Sequence, residues 1–274
     1  MTLAASGLKI GVFDSGFGGL TVLRELVKLL PGADAIYLGD TARLPYGSKS
    51  RETISRYAVS SAKFLEEQGA DLLVIACNTA TALALEDIQV SLPIPVIGVV
   101  EPGAAAALAA SHGGDVLVLA TAATVQSGAY TRALSAVGLK AYEKACPLLV
   151  PLVEEGWTEH PVTDEVIRIY LEEALKAAPE TKTLLLGCTH YPLIEPAMRR
   201  VLETMGRPLT IVDSAKATAA ATGRLVAERF PNATPVASPA RSFFATDSVA
   251  KFQRLGADFL GQPVEEVKLV DLGG

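Results

Sequence analysis

Leu72-Leu-Val-Ile-Ala-Cys77-Asn78-Thr79 and Leu184-Leu-Leu-Gly-Cys188-Thr189-His190 share one pattern. Each is a short apolar run, partly β-branched in the first, that ends in a cysteine and passes at once to polar residues. A parallel strand that ends in a thiol and is followed by a helix sets the sulfur in the crevice outside the carboxyl ends of the sheet, where ligands of open α/β folds bind. The pair predicts two thiols that face one substrate from opposite sides.

Outward from these stretches, β-like runs alternate with helix-period segments, which predicts βαβ units and a mainly parallel sheet. Residues 9–13 read as a strand, and the next helix carries Leu20, Leu23, Val27 and Leu30 on one face before Pro31-Gly32 stops it. Residues 35–38 read as a second strand. Ser50 is placed to cap a helix striped by Ile54, Tyr57, Ala58, Ser61 and Leu65, and Gly69 suits the left-handed position beyond its end. Further strands are predicted at residues 72–76, 95–99, 116–119 and 184–186. Ile10-Gly-Val-Phe-Asp-Ser15 aligns with Val116-Leu-Val-Leu-Ala-Thr121 at an offset of 106 residues, and Cys77 with Cys188 at 111. Two similar offsets suggest duplicated halves, each with one thiol, converging on a cleft.

Composition bounds the rest. The 274 residues are 50% apolar, enough for a sizeable core and for two domains. With 24 Lys and Arg against 30 Asp and Glu, the net charge of -6 gives no footprint for a phosphate backbone, so nucleic acid is not expected as a partner. Mean hydropathy is +0.33, yet no segment approaches the roughly 20 apolar residues of a membrane span. The amino end shows no basic region with an apolar stretch and cleavage site, so a cytoplasmic location is expected. Three cysteines make no disulfide framework and read as catalytic or buried thiols.

Several residues near the predicted strand ends can carry chemistry. Asp14-Ser15-Gly16-Phe17-Gly18-Gly19 follows a strand and opens a helix, allowing a tight turn and close backbone approach to an anion; it lacks the third glycine of a dinucleotide fingerprint, whose place falls at Thr21. Asp40 and the loop through Tyr46 and Gly47 gather a carboxylate, hydroxyls and backbone amides at another strand end. A free thiol with a pKa near 8.5 is only ~3% thiolate at pH 7. A helix amino end, worth ~0.3 to 1 kcal/mol, lowers that pKa by less than one unit, so the thiols need further help. His190, two residues beyond Cys188, and Asp14, near Cys77, are the candidates for it. No C-x-x-C occurs and Cys188-x-His190 is not a zinc spacing, so no metal is expected. Cys146, followed by Pro147, reads as structural; Glu154 and Glu155 read as solvated charges or as a site rim. The elbow of a serine hydrolase is missing.

Four blocks, Val12-Phe-Asp-Ser-Gly-Phe-Gly-Gly-Leu-Thr-Val22, Gly39-Asp-Thr-Ala-Arg-Leu-Pro-Tyr-Gly47, Ala76-Cys-Asn-Thr-Ala80 and Gly187-Cys-Thr-His-Tyr-Pro192, resemble the signatures of cofactor-independent glutamate racemases of the aspartate/glutamate racemase superfamily. The resemblance implies two pseudo-symmetric α/β domains, residues 1–98 plus 209–274 and residues 99–208, with the active site between them, a homodimer, and no cofactor. It implies that Cys77 and Cys188 are the acid/base pair, Cys77 acting on the D- and Cys188 on the L-enantiomer, with Asp14 and His190 assisting. It assigns substrate contacts or thiol tuning to Asp14, Ser15, Tyr46, Gly47, Asn78, Thr79, Thr189 and His190, and accessory positions to Asp40 and Glu154. Glutamate is the implied substrate and D-glutamate for cell-wall peptidoglycan the implied product. The rival readings are an aspartate or hydantoin racemase or a malonate decarboxylase of the same superfamily, a cysteine-nucleophile hydrolase with His190 as base, and a non-catalytic amino-acid-binding protein.

Overall fold

The computed structural model describes residues 7–273; residues 1–6, part of the amino-terminal stretch read for a leader, lie outside them. The chain opens with β1 (Lys9–Asp14), α1 (Leu20–Leu29), β2 (Asp34–Gly39), α2 (Arg51–Glu67), β3 (Leu72–Ile75), α3 (Asn78–Ser91) and β4 (Val96–Gly98). After α4 (Val100–Ser111) come β5 (Val116–Ala120), α5 (Ala122–Ser127), α6 (Ala129–Ala136), β6 (Ala141–Ala145), α7 (Leu149–Glu154) and α8 (Pro161–Ala177). The chain continues through β7 (Thr183–Gly187), α9 (Glu195–Thr204) and β8 (Thr210–Asp213), then returns by α10 (Ser214–Arg229), β9 (Arg241–Ala245), α11 (Val249–Leu260) and β10 (Lys268–Leu269).

Two parallel sheets result, ordered β10-β9-β2-β1-β3-β4 and β6-β5-β7-β8. The core of the first, β2-β1-β3-β4, has the same order as the whole of the second. The duplication suggested by the two offsets is therefore visible as topology: β1 answers to β5, and β3 with its Cys77 answers to β7 with its Cys188. The central strands are largely apolar because helices cover both faces of a parallel sheet; every residue of β3, β5 and β7 is buried.

Local chemistry explains the elements that carry the site. Ser50 caps α2 by accepting from Thr53 N, and Gly69 takes φ +85° just past its end. Phe13 pairs with Ile75 in the β1–β3 ladder, which brings the chain after β1, Asp14-Ser15, beside the chain after β3, Ala76-Cys77. The largest apolar cluster joins both halves, with Leu20, Tyr37 and Phe252 from the first sheet's layer and Leu117, Tyr191 and Met198 from the second.

One expected boundary moves. Residues 209–274 were expected to belong wholly to the first domain, but β8 pairs with β7, Thr183 opposite Thr210 through Leu186 opposite Asp213. The chain leaves the second sheet only at Asp213, because Ile211 and Val212 complete that sheet before α10 starts.

Candidate active site

The two thiols end equivalent strands, but their immediate surroundings differ. Cys77 is itself the N-cap of α3: its Sγ accepts from Ala80 N at 3.4 Å and donates to Ser15 Oγ at 3.4 Å. Cys188 was expected to stand at a helix start as well. Instead it precedes a single 3₁₀ turn, Tyr191–Ile194, with Pro192 in its first turn and Tyr191 N donating to Cys188 O at 3.2 Å. What Cys188 receives is an imidazole, with His190 Nδ1 3.9 Å from its Sγ and 3.5 Å from Thr189 Oγ1.

Charge is arranged around each sulfur in opposite sense. Burial, and then the nearby Asp14 carboxyl, push the Cys77 thiol up to about 12, so it holds its proton at neutral pH. Asp14 is buried too; its Oδ2 accepts from Gly16 N at 2.9 Å, and burial raises its pKa against the opposing pull of His190. On the other side, burial would lower His190, but its hydrogen bonds to Cys188 and to Glu154 raise it to about 10. Glu154 Oε1 lies 3.3 Å from His190 Nε2, and Lys251 Nζ donates to Glu154 Oε2 at 2.9 Å. Burial opposes the ionised form of Glu154, yet His190 and Lys251 together hold it down to about 2. Of the two adjacent glutamates it is Glu154 that reaches the site; Glu155 is exposed.

The loops of the two halves meet at these groups. A Cβ on Gly18 would fall 2.1 Å from Thr189 Oγ1 and 2.6 Å from His190 Nδ1, so this glycine is what lets the first half's turn lie against the second half's thiol loop. Thr21 Oγ1 donates to Thr189 O at 3.1 Å across the same junction. Thr79 Oγ1 sits 2.9 Å from Thr121 Oγ1 and 3.3 Å from Thr124 Oγ1, joining α3 to the N-terminal turn of α5. Gly47 approaches Thr121 as well.

Asp40 and Tyr46 form a supporting pair. The Tyr46 hydroxyl donates to Asp40 Oδ2 at 2.5 Å, while Thr246 Oγ1 donates to Asp40 Oδ1 at 2.9 Å and Arg43 Nη1 lies 3.4 Å from Oδ2. Burial raises the pKa of Asp40 and raises that of Tyr46, so the phenol keeps its proton. The Tyr46 ring packs in the apolar cluster that contains Cys77, which leaves its hydroxyl committed to Asp40. Cys146 is wholly buried in the core, as expected of a structural thiol.

Two buried polar atoms at the site lack a partner among the described residues: Asp14 Oδ1 and Asn78 Nδ2. Such atoms are rare and costly in native proteins unless something else binds them. One is an acceptor and one a donor, which suits a zwitterion with an ammonium and a carboxylate. Reasoning on the sequence missed Tyr130, Thr121, Thr124 and Lys251, all of which touch site residues from distant parts of the chain.

The chain is similar to known proteins in both sequence and fold. The family model for Asp/Glu/Hydantoin racemase matches residues 10–222. A glutamate racemase of Koribacter versatilis is 53% identical over 287 aligned positions, covering 97% of this chain and 98% of that protein. The crystal structure of glutamate racemase from Francisella tularensis in complex with D-glutamate superposes with a TM-score of 0.88 at 34% identity, over 97% of this chain and 98% of that one. The enzyme from Thermus thermophilus, in complex with β-chloro-D-alanine, gives a TM-score of 0.86 at 43% identity with the same coverage. The chain belongs to the Asp/Glu/Hydantoin racemase family and, within it, to the glutamate racemases.

Proposed function

We propose that the chain interconverts L- and D-glutamate with Cys77 and Cys188 as the two proton-transfer groups, in the cleft between its halves. The observation that carries this reading is the placement of one thiol at the end of each of two topologically equivalent strands, with loops of the two halves in contact around them. Cys77 enters as a thiol beside Asp14; Cys188 stands beside a proton-loaded His190.

Starting from L-glutamate, Cys188 Sγ takes the Cα proton and Cys77 gives its S–H proton to the opposite face. The Cα–H bond broken is replaced by one formed, and each sulfur exchanges its protonation state with the other. The reverse direction uses the same groups in exchanged roles. The electron pair released at Cα spreads into the α-carboxylate, which the Asn78 amide and neighbouring hydroxyls of Ser15 and Thr189 stabilise; Asp14 Oδ1 accepts from the ammonium. Burial of these groups strengthens each such contact.

The full-length identity to glutamate racemases supports glutamate over aspartate or a hydantoin. A hydrolase would need one nucleophilic thiol, and nothing in its chemistry calls for the second thiol set apart with its own charged partner. Family membership supports, as further parts of this proposal, a product used in peptidoglycan synthesis, a homodimer and a cytoplasmic location. No helix among the described residues is long and apolar enough to cross a membrane.

Circular dichroism of each glutamate enantiomer incubated with the protein tests the reading, with aspartate as the competing substrate. Cys77→Ala and Cys188→Ala are each expected to lower interconversion by about 10²–10⁴-fold, the usual worth of a positioned acid or base. Near-normal turnover by either variant contradicts the two-thiol scheme, and faster turnover of aspartate contradicts the substrate.

A further inference from the structure

Tyr130 is a wholly buried phenol that the reaction scheme leaves unused, although it touches both thiol-bearing regions. It lies on α6, in the second half. Its hydroxyl donates to Asn78 Oδ1 at 2.6 Å, one residue from Cys77 in the first half. Its ring rests against Gly187, the residue before Cys188: a Cβ there would come within 2.9 Å of Tyr130 Cε2. The same Cβ would lie 2.9 Å from the Leu119 carbonyl oxygen, so glycine at 187 is what lets β5 and the phenol pack this closely.

We propose that Tyr130 is a positioning residue for the racemisation: by holding Asn78 Oδ1, it fixes the side-chain amide so that Nδ2 presents its donors to the α-carboxylate of bound glutamate. The inference rests on the racemase reading of the site. The two ends of an Asn side chain are nearly equal in shape but opposite in hydrogen bonding, so packing alone does not choose between them. In this structure the Tyr130 hydroxyl donates to Oδ1, and that bond holds the amide in one of the two orientations. Asn78 Nδ2, buried and without a partner among the described residues, is then the end that faces substrate. Burial, and then the nearby Cys188, raise the Tyr130 pKa, so the phenol stays a donor across the working range. The reverse orientation would set a carbonyl oxygen against a carboxylate and repel it.

The test is a double-mutant cycle on steady-state constants, with Tyr130→Phe, Asn78→Ala and the double variant measured on both enantiomers. Tyr130→Phe is expected to raise KM about ten-fold for each enantiomer, the worth of one lost orienting hydrogen bond. In the Asn78→Ala background the same change is expected to alter KM less than about two-fold, because the amide it positions is gone. An unchanged KM in Tyr130→Phe, or an equal rise in both backgrounds, overturns the proposal; a phenol needed only for packing gives the equal rise. Asn78→Asp supplies a second readout that needs no change at Tyr130. With Tyr130 on one oxygen, the other faces the α-carboxylate, and binding is expected to be weaker than in Asn78→Ala. Binding as tight as in Asn78→Ala overturns the orientation. Turnover of glutamate by the unaltered chain reports on the racemase reading, and the cycle reports on Tyr130.

Discussion

His190 lies between Cys188 Sγ, 3.9 Å from its Nδ1, and Glu154 Oε1, 3.3 Å from its Nε2, with the Phe259 ring edge-on at 5.0 Å between centroids. Burial works against its charge, while the bonds to Cys188 and Glu154 raise its pKa from the ordinary 6.5 to about 10. Glu154 moves the opposite way, from 4.5 to about 2, because His190 and Lys251 outweigh its burial. A raised imidazole contributes stability below 6.5 that is lost as pH climbs through about 10; a depressed carboxylate contributes above 4.5 what is lost as pH falls through about 2. The two groups therefore contribute their full stabilisation between pH 4.5 and 6.5. Glu154→Gln removes an anion that favours imidazolium, so the alkaline limb of kcat/KM is expected to move at least one unit toward neutral pH, about 1.4 kcal/mol of lost proton affinity. A pH–rate profile in both directions checks this, and an unmoved alkaline limb contradicts the role given to His190.

At the scale of elements, the decisive contact is between the β1–α1 turn and the loop after β7. Gly18→Ala is expected to displace Thr189 and His190, since the added carbon would lie 2.1 Å from one and 2.6 Å from the other. A shift of about 1 Å in a catalytic group costs on the order of 10²-fold in rate, so activity should fall by that order while far-ultraviolet circular dichroism stays native. Full activity in this variant would show that the two loops are not held together as described. Much of this level was legible in the sequence. The apolar runs before Cys77 and Cys188 became fully buried strands, Ser50 and Gly69 bounded α2, and Asp14 and Ser15 came to rest beside Cys77 because β1 and β3 are ladder neighbours. Other elements were not legible. β6, Ala-Tyr-Glu-Lys-Ala, is half-buried at a sheet edge and lacks an apolar run, and β10 has two exposed residues. The turn after Cys188 could not be told from a helix start, since Thr189 and His190 suit either. Tyr130 and Lys251 carry no local mark: their partners lie 52 and 97 residues away, and only tertiary packing brings them together.

The whole molecule is a duplicated parallel α/β unit whose halves share one apolar cluster, so that equivalent strand ends, and the thiols on them, are held in a fixed relation. Duplication alone would give two like sites. Sequence divergence around the copies gives one site with two unlike ends, a helix amide and a carboxyl at Cys77, an imidazolium and its ion pairs at Cys188. In the proposed scheme each sulfur serves as acid in one direction and base in the other. The most direct measurement follows D-glutamate in deuterated water at low conversion, separating the enantiomers and weighing each. Two sulfurs on opposite faces predict L-glutamate carrying one solvent deuterium at Cα while the recovered D-glutamate keeps its protium. Deuterium appearing in the recovered D-glutamate as fast as L-glutamate forms, or L-glutamate that retains the original proton, would mean that a single group moves the proton and would contradict the scheme.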